Sequence, residues 1–326
     1  RFLLPIRNES IVLLLNSKFG STAFGLAKSC KQLVSCDPEL ERLNWQRARA
    51  KVERVNNLQC VRFDHQLPLP FRDDSFDCLV ATAFDRLPCA DQPELLPEIR
   101  RILKPDGCIY ILTPNQPSWK NKVLKFFSNA TGGYRSKLNS NGFSDVRFLA
   151  PLPNGFNPVQ LIDFENKDRL KAALKRNSNN PIGKLKQHVK GILKSKTPDA
   201  LAMIASDQRR PSYLDRLLNH IATGNGDAKK SDNDFSYRMN DEMGIVTVIV
   251  RNPSTPYILK LPLHARGRRE LRSESSILKT IHEDPQHPLG QHRDLFARVI
   301  ANREFEGQEY FAYSMLPGVS GDQLQI

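Results

Sequence analysis

The sequence predicts an α/β protein, with a doubly wound sheet in the front half and a smaller α+β piece at the back. Three observations lead there. Ser10–Asp37 reads as a buried strand, a tight turn, a helix and a second strand ending in an acid. Apolar runs and helical periods then alternate to about residue 165, the pattern of consecutive βαβ units. From Phe235 onward short strands take over, with one helix among them.

The first strand is the run Ile11–Leu15, followed by the turn Asn16-Ser17-Lys18-Phe19-Gly20. Asp37 closes the second strand, at the carboxyl edge where open α/β sheets bind ligands, and a carboxylate there suits the two hydroxyls of a ribose. Pro38 fits the first turn of a helix running to about Val52, for which Asp37 is equally a candidate N-cap. A third strand, Leu58–Asp64, ends in another acid, and Asp74–Asp77 leads into the apolar run Cys78–Ala83. Asp91-Gln92-Pro93-Glu94 has capping-box spacing and opens a helix with Leu95, Leu96, Ile99, Ile102 and Leu103 at helical period, bent early by Pro97. Lys104–Gly107 is a turn and Cys108–Leu112 the fifth strand. As ordinary turn residues, Asp64 and Asp77 need no ligand.

This order, with Leu-Pro-Phe-x-Asp-Asp-Ser-Phe-Asp at 69–77 and Glu-Ile-x-Arg-Ile-Leu-Lys-Pro-Asp-Gly at 98–107, resembles the class I S-adenosylmethionine-dependent methyltransferases over roughly residues 8–165. The resemblance implies a Rossmann-like sheet whose terminal antiparallel pair is Val146–Leu149 and Val159–Phe164. It implies S-adenosylmethionine as cofactor, held by Asn16 and Gly20 of the turn, by Asp37 at the ribose and by Asp64 near the adenine. Asp85 and Arg86 fall in the segment that lies under the transferred methyl, and are the catalytic candidates. Two features depart from the family pattern: of the turn's five residues only Gly20 is glycine, and Leu14 stands where the family has an acid. Arg86 replaces the family's histidine, which removes a base near neutral pH. Methyl transfer from a sulfonium is an in-line displacement, so alignment of the two reactants carries most of the catalysis.

Between 166 and 234 the composition turns basic. Lys167, Arg169, Lys171, Lys175, Arg176, Lys184, Lys186, Lys190, Lys194 and Lys196 meet few acids, and Leu201–Ile221 reads as further helix. Such a linker is a solvated helical face, or else one that lies on an anionic membrane surface or another polyanion. Aromatic residues are missing between its charges, so it carries no specific nucleic-acid motif. Residues 235–326 resemble the small lobe of the aminoglycoside and choline phosphotransferases, relatives of protein kinases: Tyr257-Ile-Leu-Lys260 matches their strand lysine, Glu274-Ser-Ser-Ile-Leu278 their helix and Tyr313–Gly318 their hinge. The resemblance implies a Lys260–Glu274 pair that orients nucleotide phosphates. ATP and magnesium are implied only if the parent protein holds a kinase catalytic lobe, since no catalytic-loop aspartate is present here.

A net charge of +13 favours polyanions, and no apolar run nears the roughly 18 residues that span a bilayer. All six cysteines lie in the first third without a Cys-x-x-Cys pair, which suggests buried reduced thiols, no metal and a cytoplasmic protein. Starting at Arg1 without Met, the chain is expected to be a fragment. Two functions stand open. One is a methyltransferase acting on a small molecule or glycan. The other is an inactive methyltransferase-like docking domain attached to a small-molecule phosphotransferase.

Overall fold

The computed structural model describes residues 2–64, 66–82, 84, 87, 94–114, 126–152, 160–164, 200–224, 234–240, 244–251 and 256–316. It divides the chain into two compact units, one of residues 1–158 with 162–227 and the other of 228–326 with 159–161.

In the first unit, β1 (Ile11–Leu15), α1 (Ser21–Ala27), β2 (Gln32–Asp37), α2 (Leu40–Glu53), β3 (Leu58–Arg62), β4 (Phe76–Thr82), α3 (Leu95–Ile102) and β5 (Leu103–Pro114) follow one another. Then come α4 (Phe126–Ser140), β6 (Asp145–Leu152), β7 (Gln160–Asp163), β8 (Ala200–Ser206) and α5 (Tyr213–Gly224). The eight strands lie in the order β3-β2-β1-β4-β5-β8-β6-β7. β1 pairs in parallel with both β2 and β4, so the strand order reverses between β1 and β4. That reversal is the switch point of a doubly wound sheet, where a crevice opens at the carboxyl ends of the strands.

Successive strand residues point to opposite faces, and helices cover both. On one face Leu13, Leu15, Val34, Cys36, Leu79, Ala81 and Ile109 pack with Leu95, Ile99 and Ile102 of α3 and with Leu138 of α4. On the other, Val12, Leu14, Leu33, Cys78, Val80 and Cys108 pack with Ala23, Leu26 and Ala27 of α1 and with Leu4 and Ile6 of the amino-terminal segment. That segment is tied down from α5, whose Tyr213 and Leu214 amides donate to the carbonyls of Leu4 and Phe2 at 3.2 and 3.0 Å. The turn read at 104–107 lies inside β5, where the pairing steps from Phe76↔Leu103 to Cys78↔Cys108 and the intervening residues bulge out of the ladder.

β8 corrects the sequence reading in two ways. Residues 200–206 form a strand, not the start of a helix, and all seven are buried. It runs antiparallel between β5, from Cys108↔Ser206 to Pro114↔Ala200, and β6, from Asp145↔Ser206 to Leu149↔Ala202. It enters between β5 and β6, while β7 stays beside β6 at the sheet's edge, the pair read at Val146–Leu149 and Val159–Phe164, and the first unit continues to 227 where the sequence suggested an end at 165 and a linker to 234. Propensity misleads here because Ala, Leu and Met favour helix, whereas a strand buried on both faces shows no period of two. Only Tyr213–Gly224 of the stretch read as helix is helical. The basic residues from Lys167 to Lys196 lie outside the described residues.

The second unit holds β9 (Asp234–Asn240), β10 (Ile245–Arg251), β11 (Tyr257–Pro262), α6 (Ala265–Glu283), a 3-10 turn (Gly290–Leu295), β12 (Val299–Phe305) and β13 (Gln308–Ser314). Its strands form an antiparallel sheet in the order β12-β13-β11-β10-β9. Leu271 of α6 packs on Ile245, Phe311 and Tyr313 of the sheet. Gly244, at φ 60, sits so close to the His264 ring that an added Cβ would lie 2.0 Å from its Nε2. Among the described residues no helix is long and apolar enough to cross a membrane.

Candidate active site

The carboxyl edge of β1 is shaped by a turn that keeps left-handed backbone without the usual glycines. Asn16 has φ 55 and Lys18 φ 51, both non-glycine, and Gly20 has φ 84. Asparagine tolerates this region better than most residues; lysine adopts it at a cost. Gly20 is required twice over, by its φ and because an added Cβ would lie 2.8 Å from Gln46 Cγ and 3.2 Å from Phe24.

The turn is stitched to three neighbours. Towards β4, Asn16 Nδ2 donates to the Thr82 carbonyl at 3.1 Å and Thr82 Oγ1 donates back to the Asn16 carbonyl at 3.2 Å. Towards β2, the Ser17 amide donates to the Cys36 carbonyl at 3.0 Å and the Lys18 amide to Asp37 Oδ2 at 2.8 Å. From α2, Gln46 Nε2 donates to Ser17 Oγ at 2.9 Å and to the Lys18 carbonyl at 2.7 Å, while Gln46 Oε1 accepts from Ser35 Oγ at 2.7 Å. Asp37 and Gln46 are both 0% exposed. Ring edges and cations gather on the solvent side, where Phe19 and Trp45 meet edge to face at 6.1 Å and Arg42 lies 5.8 Å from the Phe19 ring centre.

The predicted cofactor residues therefore fare differently. Asn16 and Gly20 lie at the crevice edge and keep the turn's backbone shape. Asp37 is enclosed: besides the Lys18 amide it accepts from the Glu39 amide at 3.1 Å, and Arg42 Nη1 is 3.5 Å away. It ends β2 and is not the N-cap of α2, a place taken by Glu39. Asp64 is open, 62% exposed in its side chain, and paired with Arg62 at 3.2 Å. Asp85 and Arg86 lie outside the described residues; the flanking Phe84 and Leu87 are buried. Cys36, next to Asp37, is no nucleophile at neutral pH, because burial, aided by Cys60 and Asp37, pushes its thiol up to about 12. Asp77 has a structural part, accepting from the Ile11 amide at 2.7 Å and from Lys104 Nζ at 2.8 Å.

An adenosyl donor fits this arrangement in part. The left-handed turn at the switch point offers the close backbone approach that the resemblance implies for the donor. The ribose does not fit Asp37, whose carboxylate has no exposed surface and whose two oxygens already accept backbone amides.

Residues 17–111 match the family model described as "Methyltransferase domain". This stretch is similar to a methyltransferase domain. A demethylmenaquinone methyltransferase from Staphylococcus haemolyticus is 28% identical over 146 residues, which cover 44% of this chain and 56% of that protein. Its counterpart from Listeria welshimeri is 33% identical over 84 residues, 25% of this chain and 35% of that protein. The chain thus spans about half or less of the curated relatives it matches. A solved structure of a SAM-dependent methyltransferase from Aquifex aeolicus is 15% identical with a TM-score of 0.37, over 45% of this chain and 78% of that one.

In the second unit, Lys260 on β11 meets Glu274 on α6 through both carboxylate oxygens, at 2.6 and 2.8 Å. Lys260 Nζ also lies 5.1 Å from the centre of the Tyr313 ring. The Tyr313 hydroxyl is buried with no hydrogen-bond partner among the described residues. Burial pushes its phenol up, with Glu274 adding to the effect. Sequence reasoning missed Gln46 and Thr82, and read Tyr313 only as the start of a hinge. For Gln46 a signal existed: it stands three residues after the buried Leu43, on the inner face of α2.

Proposed function

We propose that the first unit carries out S-adenosylmethionine-dependent methyl transfer to an unidentified small-molecule or glycan acceptor. The observation that carries this reading is the methyltransferase-domain match over 17–111, which runs from the turn after β1 into β5. The left-handed turn supports it, since Asn16 and Lys18 hold the backbone shape that glycines usually supply. Asp85 and Arg86 remain the candidates on the acceptor side. Calorimetric titration of the full chain with S-adenosylmethionine tests the reading: binding at micromolar to submillimolar concentration is expected, and no heat at millimolar donor would sink it.

A second reading is favoured by the enclosure of Asp37. In it the first unit is an inactive methyltransferase-like docking domain beside a phosphotransferase. The second unit would be that enzyme's small lobe, supported by the antiparallel sheet with one helix and by the bidentate Lys260–Glu274 pair. ATP and magnesium then require a second lobe with catalytic aspartates in the parent protein. Nucleotide binding abolished by Lys260→Met would support this reading. The basic stretch from Lys167 to Lys196 adds a proposal of its own, an anionic membrane surface or another polyanion as partner. Binding to vesicles containing phosphatidylserine should fall steeply with salt. A cytoplasmic location goes with both readings.

A further inference from the structure

Asp37 occupies the position where a ribose-binding acid is expected, yet its surroundings describe another task. Lys18 is a non-glycine residue at φ 51, and both ends of its backbone are clamped by buried side chains. Its amide donates to Asp37 Oδ2 at 2.8 Å and its carbonyl accepts from Gln46 Nε2 at 2.7 Å. The two clamping groups are each 0% exposed. Gln46 is itself oriented by Ser35 Oγ at 2.7 Å and Ser17 Oγ at 2.9 Å. The second oxygen of Asp37 accepts from Glu39, two residues on, which ties the end of β2 to the start of α2. A left-handed lysine persists only where its surroundings over-determine it. Here the surroundings include one buried carboxylate and one buried amide side chain.

We infer that Asp37 is a positioning residue: its carboxylate locks the glycine-poor turn through the Lys18 amide, and it is not the ligand of a nucleoside ribose. A turn rich in glycine reaches left-handed backbone without help. This turn lacks that freedom at Lys18, and the hydrogen bond its amide donates to Asp37 supplies the restraint instead. The inference deepens the methyl-donor reading and rests on it only for the affinity readout below. The lock itself stands on the geometry of the free protein.

The test is a double-mutant cycle on the full chain, with Asp37→Asn, Lys18→Gly and the double variant. Each is followed by its thermal unfolding midpoint and by calorimetric titration with S-adenosylmethionine. An asparagine at 37 can turn a donor towards the Lys18 amide, and a glycine at 18 no longer needs the restraint. Asp37→Asn should lower the midpoint by several degrees and weaken the donor along with it. Adding Lys18→Gly should recover at least half of the midpoint and bring donor affinity back to within threefold of Lys18→Gly alone. A direct ribose ligand behaves differently: Asp37→Asn would leave the midpoint unchanged and cost tenfold or more in donor affinity in both backgrounds. That result overturns the inference. So does a loss of midpoint that Lys18→Gly leaves unrecovered, or an Asp37→Asn variant indistinguishable from wild type. Should Asp37→Asn fail to fold alone, folding in the Lys18→Gly background supports the lock and failure in both backgrounds overturns it. Wild-type chain that binds no donor sinks the methyl-transfer reading, and the midpoints alone then decide the lock.

Discussion

Two carboxylates, one in each unit, sit where sequence motifs place ligand-binding groups, and they are held in opposite ways. Asp37 is fully enclosed and accepts from backbone amides of Lys18 and Glu39. Glu274 is 39% exposed in its side chain and faces a single lysine, Lys260, through both oxygens. A buried carboxylate with satisfied donors is part of the framework, because removing it leaves those donors orphaned at a cost of roughly 1–3 kcal/mol. A half-exposed ion pair is screened by water and contributes about 0–1 kcal/mol. The first is therefore read in stability, to which the second adds little. Asp37 ends a strand and Glu274 sits on a helix, and burial is what separates their parts.

Four substitutions probe this contrast. Gly20→Ala forces a side chain into left-handed backbone and against Gln46 and Phe24, so it should cost about 2–3 kcal/mol in urea unfolding. A neutral result would show that the turn is loosely held. Gln46→Leu leaves Ser17 Oγ, Ser35 Oγ and the Lys18 carbonyl without the partner they now have, for a loss of about 2 kcal/mol by the same measurement.

Glu98 is the intermediate case. It accepts from Arg101 at 2.8 and 3.0 Å and from the Leu69 amide at 2.9 Å, and these contacts, Arg101 foremost, hold its carboxyl below the usual range. Because its folded pKa is depressed, its stabilisation is present above the unfolded value of about 4.3 and disappears as pH falls through the folded value. Glu98→Gln should cost about 1 kcal/mol at pH 7, and the gap to wild type should close below pH 4. A gap that stays constant with pH would count against the ion-pair account. Lys260→Met should be the mildest in stability, under about 1 kcal/mol in urea unfolding. A larger stability loss would place the pair with the buried group.

The buried first strand, the acid at the end of β2, the left-handed demand at Gly20 and the Lys260–Glu274 partnership were all legible in the residues. The first three rest on local patterns, an apolar run or a turn residue, and the Lys260–Glu274 pair on the resemblance to a phosphotransferase small lobe. Ala200–Ser206 was not legible. Seven small or apolar residues in a row have no period that tells a doubly buried strand from a helix, and its partners, β5 and β6, lie far away in the chain. Gln46 left a weak signal in its spacing from Leu43, but only the packing of α2 over the turn shows which groups it bonds.

Amino-acid order alone settles the order of elements and which groups reach the carboxyl edge, because periodicity and turn chemistry act over a few residues. It does not settle what those groups do there. Whether Asp37 meets a ribose or an amide depends on how a left-handed lysine, a buried glutamine from α2 and the end of β2 converge in space. Residues separated by 19 and 28 positions make that decision together. Burial, hydrogen-bond satisfaction and the insertion of a strand from residue 200 are long-range outcomes, and tertiary packing decides them.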